Sequence, residues 1–419
     1  MRGVPRTVVV TVGDEILLGD TVDTNGARIG RALGELGAPV QRRETVGDQP
    51  AAIGAAVGRA LADADLVLVT GGLGPTPDDL TRESVAELLG APLALDAEIA
   101  SALRARVRAY GYQDFPERNL RQAMVPQGAH VLPNAHGTAP GLAIERGGRW
   151  VVLLPGVPRE LEGLLAGPVA DLVREAFAGR LRPPHHRFVR TTGMPESRLA
   201  ERVEALLPAE RGPVELAYLP SFHGVTLRFT VPGEVEAAEA ERWLDRMEGA
   251  LGELERYRFE GPDLVAAVAA ALQGAGKTVA VAESCTGGLL AKRMTDRAGS
   301  SRWFMGGVVA YSDAGKTRHL GVPAALIERV GAVSDEVARA MATGAAGAFG
   351  ADAGVGITGI AGPDGGSPEK PVGTVCYAVA LGGEVTSERR VFAGDREAVR
   401  ERSAQAALHL LQRALRGVP

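Results

Sequence analysis

Two cysteines in 419 residues, Cys285 and Cys376, make neither a disulfide framework nor a cysteine-based zinc site. The seven histidines are scattered, with no His-x-x-x-His pair to grip a metal from one helix face. No apolar run approaches the ~20 residues of a membrane span, and the opening residues Met1 to Arg6 lack a signal-peptide pattern. A cytoplasmic protein with no membrane partner is therefore expected. A formal net charge of −5 gives no large basic surface, so nucleic acid is not an expected partner. What is present is 45% hydrophobic and 23% charged, ordinary usage for a soluble α/β chain of two to four domains.

Chemistry concentrates in the last third. Lys277 to Val281 reads as a buried strand, and Gly287-Gly288 followed by Leu289-Leu290-Ala291 reads as a helix start. Ser284 is thereby placed on a tight strand-to-helix turn, where its hydroxyl is presented at a sheet edge. The N–H groups of the turn, from Cys285 through Thr286 and Gly287 to Gly288, then face an oxyanion or phosphate. Ser284 or Thr286 also serves as an ordinary helix cap. A second strand, Gly307 to Tyr311, brings Tyr311 and Lys316 toward that turn as a phenol and an amine to activate a nucleophile. A third turn, Gly356 to Pro363, adds backbone donors and a hydroxyl at Thr358 and Gly359. Cys285 rivals Ser284 as nucleophile, but none of the three motifs contains a histidine to activate a thiol. Arg396 and Arg400 open the closing helix, where solvated arginines are the default.

The first third repeats the layout of strand, Gly turn and helix. Thr7 to Val12 and Asp65 to Thr70 read as buried strands of a parallel sheet covered on both faces, with ligands outside the strands' carboxyl ends. The turn from Gly71 through Gly72 and Gly74 offers N–H groups to a phosphate, and Asp78 with Asp79 offers oxygens to a hard divalent ion. The same acids also serve as helix caps. Asn119, Asn134 and Thr138 lie in Gly/Pro-punctuated loops. A basic, proline-containing stretch, Arg180 to Arg187, marks a domain boundary. A small α+β module follows, and Tyr257 to Asp263 reads as the linker out of it.

The ESCTGG, VAYSDAGK and GITGIAGPDGG segments resemble the C-terminal domain of the CinA family, which is similar to PncC-type nicotinamide mononucleotide deamidases. GDEILLGDTVDTN, TGGLGPTPDD, NLRQAMVPQGA, NAHGTAPG and LPGVPRE resemble that family's N-terminal domain, similar to the molybdopterin-binding MoaB and MogA fold. The resemblance implies three domains: a MoaB/MogA-like parallel-sheet domain at 1–172, a KH-like α+β module at 173–256 and an α/β deamidase domain at 257–419. It also implies a homodimer acting on nicotinamide mononucleotide and ADP-ribose. On this resemblance Asp14, Asp78 and Asp79 hold a divalent metal ion or position water in the first domain, and Asn119, Asn134 and Thr138 are pocket residues. Arg396 and Arg400 meet a substrate phosphate, and the deamidase needs no cofactor. The middle module lacks the basic Gly-x-x-Gly loop that clamps a nucleic-acid backbone, so a spacer or dimerisation role is expected there. Two non-hydrolytic readings stand beside this: a nucleotide- or pterin-binding protein, and an accessory factor in DNA uptake.

Overall fold

A computed structural model describes residues 3–109, 111 and 114–418. It divides into two compact units: the chain up to His185 together with Pro232–Glu236, and His186–Val231 together with the chain from Ala237 onward.

In the first unit, strands β1 (Thr7–Val12), β2 (Val40–Val46), β3 (Leu66–Thr70), β6 (His130–Leu132), β7 (Gly141–Arg146) and β8 (Arg149–Leu154) form a sheet of order β2-β1-β3-β8-β7-β6, and β4 (Leu93–Leu95) pairs with β5 (Met124–Pro126) as a separate ribbon. The valine run of β1 is buried throughout because both faces are covered. Val8, Val10 and Val12 pack with Ile53 and Val57 of the helix Pro50–Asp63, while Val9 faces Ile29 and Leu33 of the helix Thr24–Glu35. Successive residues point to opposite faces of a strand, so a strand buried on both faces reads as an unbroken apolar run.

The all-parallel sheet expected from the alternating strands and helices is corrected to a mixed one. β1, β2, β3 and β8 run parallel, but β7 and β6 are antiparallel additions. The cause is local. Gly147 and Gly148 both take positive φ, 60° and 77°, between paired Arg146 and Arg149, the geometry of a two-residue hairpin turn.

The second unit begins with an α+β module. Its sheet has order β10-β11-β9-β12, from β9 (His185–Thr191), β10 (Glu215–Ser221), β11 (Gly224–Val231) and β12 (Arg258–Phe259). The segment read as a linker is thus partly a strand: Arg258 and Phe259 pair with Thr191 and Arg190. Asp263 at its end caps the helix Leu264–Gly274 by accepting the Ala266 N–H.

The remaining sheet has order β14-β13-β15-β16-β17, from β13 (Val279–Glu283), β14 (Phe304–Val309), β15 (Ala353–Gly359), β16 (Thr374–Leu381) and β17 (Glu384–Val391). Val279 and Val281 pack into a core with the helices Leu264–Gly274 and Arg396–Arg416, and Ala280 and Ala282 face Val337 and Met341 on the helix Asp335–Phe349. β14, β13 and β15 are mutually parallel, with Glu283 opposite Val309 and Ile357. That register puts the ends of all three strands, and the three motifs that follow them, on one edge of the sheet. The fold is mixed α/β. Among the described residues no helix is long and apolar enough to cross a membrane.

Candidate functional site

On the C-terminal edge, the Ser284 N–H donates to the Ile357 carbonyl at 3.0 Å, which ties the turn to β15. The Ser284 residue is 7% exposed, and its hydroxyl has no hydrogen-bond partner among the described residues. Gly287 and Gly288 take φ of 60° and 90°, a left-handed pair that side chains resist, which lets the chain reverse into the helix Leu289–Thr295.

The donors of this turn are only partly free. Glu283, 1% exposed at the end of β13, accepts from the N–H groups of Gly288 at 3.1 Å, Leu290 at 3.0 Å and Ala291 at 2.8 Å. The Gly287 N–H donates to the Ser284 carbonyl. The expectation that the whole Cys285–Gly288 turn faces an oxyanion is corrected: the N–H groups of Cys285 and Thr286 are the two left without a partner among the described residues. A carboxylate at a helix N-terminus takes the charge-assisted bonds a ligand anion would otherwise take.

The thiol of Cys285 is buried in the apolar core, and burial pushes its pKa up to about 12. It is a protonated thiol at neutral pH, packed as a small apolar group.

The predicted partners converge with different duties. Tyr311 is 62% exposed, and its phenolic oxygen accepts from Arg396 Nη2 at 2.9 Å. The other Arg396 terminal nitrogen donates to the Gly362 carbonyl at 2.7 Å, so this guanidinium bridges the second and third motifs. Arg400 donates through Nε and Nη2 to the Thr286 carbonyl at 3.2 and 2.7 Å, holding the first motif. Asp395 fixes both arginines by capping their helix at the Ala398 N–H. Lys316 is buried; its Nζ donates to the Tyr311 carbonyl at 3.4 Å and lies 3.5 Å from Asp313. It does not hydrogen-bond Ser284. The Thr358 hydroxyl is turned to the Ala332 carbonyl at 2.8 Å, and Gly359 is hemmed in by Val375. The buried Thr286 hydroxyl has no partner among the described residues.

In the first unit the ends of β1, β3 and β8 border a cavity of about 480 Å³. Gly71, Gly72 and Gly74 line it. Gly71 has φ of 103°, and a Cβ there would lie 2.1 Å from the Val12 carbonyl oxygen, so only glycine fits. The N–H groups of Gly72 and Leu73 have no acceptor among the described residues. Thr138 also lines the cavity, but Asn119 and Asn134 do not. Asn119 lies in the 3-10 segment Glu117–Ala123, and Asn134 is a strut, donating to Glu160 at 2.7 Å and to the Ala139 carbonyl at 2.8 Å.

The three predicted metal ligands do not assemble. Asp14 is absent from the cavity lining, and its N–H donates to Asp48 at 2.9 Å. Asp79 spends one oxygen on the Gly74 N–H and the other on Thr76, which braces its own loop. Asp78 lines the cavity with an exposed side chain. Among the described residues no three His, Cys, Asp or Glu side chains form a metal cluster.

Residues 8–175 match the family described as a probable molybdopterin binding domain, 186–254 the damage-inducible protein CinA KH domain and 262–415 the CinA C-terminal domain. A CinA-like protein of Gemmatimonas aurantiaca is 46% identical over 410 residues, covering 97% of this chain and 95% of the relative. The chain belongs to the CinA family. A CinA-like protein of an Anaeromyxobacter species is 43% identical over 411 residues, 97% of this chain and 98% of the relative. The solved structure of CinA from Thermoplasma acidophilum is 41% identical and covers 40% of this chain and 98% of its own, with a TM-score of 0.38.

Within this CinA-family chain, several residues of the two sites were passed over in the sequence. Glu283 carried a signal, an acid closing an otherwise apolar buried strand immediately before a glycine pair. Glu160 lines the first cavity; burial raises its pKa above the usual carboxylate range, against bonds from Asn134 and from the backbone of Thr138 and Ala139 that lower it. Asn25 lines the same cavity and donates to the Gly156 carbonyl at 2.7 Å. Gln122 had no sequence signal beyond its place in the NLRQAMVPQGA segment.

Proposed function

We propose that the C-terminal domain hydrolyses the carboxamide of nicotinamide mononucleotide, releasing ammonia and nicotinic acid mononucleotide, and that the N-terminal domain hydrolyses ADP-ribose. The observation that carries the first half is the unpartnered Ser284 hydroxyl on a sheet edge where all three motif turns meet under Arg396 and Arg400. In this reading Ser284 Oγ attacks the amide carbon, and its proton passes to Lys316, directly or through Tyr311. The Cys285 and Thr286 N–H groups stabilise the tetrahedral oxyanion, where one such donor is worth about 3 kcal/mol of barrier. Lys316 returns that proton to the departing nitrogen, collapse expels ammonia, and water then cleaves the acyl ester and restores Ser284. Each guanidinium has five N–H donors, so Arg396 and Arg400 hold their turns and keep donors for the substrate phosphate.

In the first unit the Gly72 and Leu73 N–H groups support a diphosphate-binding role for the cavity. An ion carried in with a diphosphate would find Asp78 as its protein ligand, completed by water and phosphate oxygens. It would supply charge neutralisation.

The test of the deamidase is ammonia release from nicotinamide mononucleotide in EDTA by the parent, Ser284→Ala and Cys285→Ala. Turnover by the parent and Cys285→Ala, with a loss of at least about 10³-fold in folded Ser284→Ala, is the expected result. An inactive parent, or an active Ser284→Ala, overturns it.

A further inference from the structure

The first unit's cavity has an unusual wall. Six carboxylates line it, Glu15, Asp23, Asp48, Asp78, Asp79 and Glu160, yet no Lys, Arg, Phe, Tyr or Trp appears among the described residues of the lining. Such a wall provides neither a cation for a bare phosphate nor an aromatic face for a stacked base. It is rich in acceptors, which suit a ligand that brings O–H donors, with divalent cations accompanying any phosphate.

One neutral side chain in this wall is both buried and idle. Gln122 is 7% exposed and lines the cavity, and its carboxamide has no hydrogen-bond partner among the described residues. The residue is buried while its two amide atoms keep access to the cavity, so a ligand there can complete them. Its position is well defined. Arg82, fully buried, donates to the Leu73 carbonyl at 2.9 Å and to the Arg121 carbonyl at 2.7 Å. Arg121 in turn donates to the carbonyls of Thr76 and Asp79. These two guanidiniums lock the segment carrying Gln122 to the Gly-rich loop. A carboxamide has a donor and an acceptor side by side, and a sugar hydroxyl is also both donor and acceptor.

We propose that Gln122 is the specificity-determining residue of this cavity, its carboxamide hydrogen-bonding a ribose hydroxyl of a ribosylated diphosphate. The inference rests on the reading of the first unit as an ADP-ribose site, and deepens it by naming which part of the ligand is read and by what.

The test compares the full-length parent with Gln122→Leu and Gln122→Glu in magnesium-containing buffer. The ligands are ADP-ribose and two analogues, each lacking the 2′-hydroxyl of one of its riboses. In the parent, kcat/KM is expected to fall about 10- to 100-fold on one analogue. Gln122→Leu loses a similar factor on ADP-ribose itself and nothing further on that analogue, so its ratio approaches 1; Gln122→Glu, which keeps an acceptor, retains part of the preference. A merely structural glutamine would lower all three rates together and leave the ratios unchanged, which overturns the proposal, as does a parent with no preference. If the parent cleaves none of the three, the hydrolase reading fails by itself. Calorimetric affinities of the same ligands then decide: a hydroxyl preference in the parent that Gln122→Leu abolishes supports the role, and an equal pattern in both proteins, or no binding by either, overturns it.

Discussion

Two glycine turns in this protein follow a buried strand, Gly71 to Gly74 after β3 and Gly287-Gly288 after β13, and the same residue types end in opposite surroundings. The first is braced from inside its own loop, by Asp79 five residues from Gly74, and its Gly72 and Leu73 donors stay open to an acid-lined cavity. The second is braced from before and from far beyond. Glu283 of the preceding strand takes three N–H groups, and Arg400, 114 residues after Thr286, takes a carbonyl. A Gly-rich turn therefore offers geometry only. Its chemistry depends on which charged side chain reaches the donors first.

The sharpest way to break this comparison is to remove the second brace. Glu283→Ala would strand three N–H groups, one buried and two half-buried, and a loss of about 3 kcal/mol in denaturant unfolding is expected. Glu283→Gln, keeping one acceptor oxygen, should lose less. A near-neutral Glu283→Ala would mean the turn holds itself.

Acid separates the two units next. His409, on the closing helix beside Arg413 and Arg390, is 3% exposed, and its Nε2–H donates to the Arg256 carbonyl at 2.9 Å. Burial first, then the two arginine charges, lower its pKa from 6.5 to about 4. A depressed folded-state pKa means that protonation favours the unfolded chain. The stability it contributes is complete above pH 6.5 and is lost as pH falls toward 4, about 3 kcal/mol over that window. Hydrogen exchange between pH 6.5 and 4 should show the closing helix of the second unit loosening, and His409→Gln should remove that slope. The same slope in His409→Gln as in the parent would assign it elsewhere.

The mildest test concerns the first turn. Asp79→Ala frees the Gly74 and Thr76 N–H groups at a half-exposed loop, so about 1–2 kcal/mol and faster exchange there are expected. Asp78→Ala should stay within about 0.5 kcal/mol, because that exposed carboxylate bonds only within its own loop, to Thr76. Equal effects would erase the distinction between the two acids.

Much of the architecture was legible. The apolar runs at β1, β3 and β13 announced two-face burial, and the closing helix that Arg396 and Arg400 open spans Arg396–Arg416. Short-range signals also misled where their partner was distant. Arg258-Phe259 looked like linker because β9, which it pairs with, lies more than 60 residues earlier. Lys316 was expected to approach the Ser284 turn, and the polar partners it takes in the fold are the Tyr311 carbonyl and Asp313. Asp14 sits in a motif with the right chemistry, yet it stands outside the cavity its neighbours line.

Local sterics and periodicity belong to the chain itself, so the buried strands, the glycine turns and their placement at strand ends were settled by sequence. A positive φ at Gly71, Gly287 and Gly288 needs only the missing side chain. Hydrogen-bond capacity is different, because each N–H has one proton and goes to whichever acceptor arrives through space. The burial of Cys285, the capture of the helix start by Glu283 and the idle amide of Gln122 were decided only when distant segments packed together.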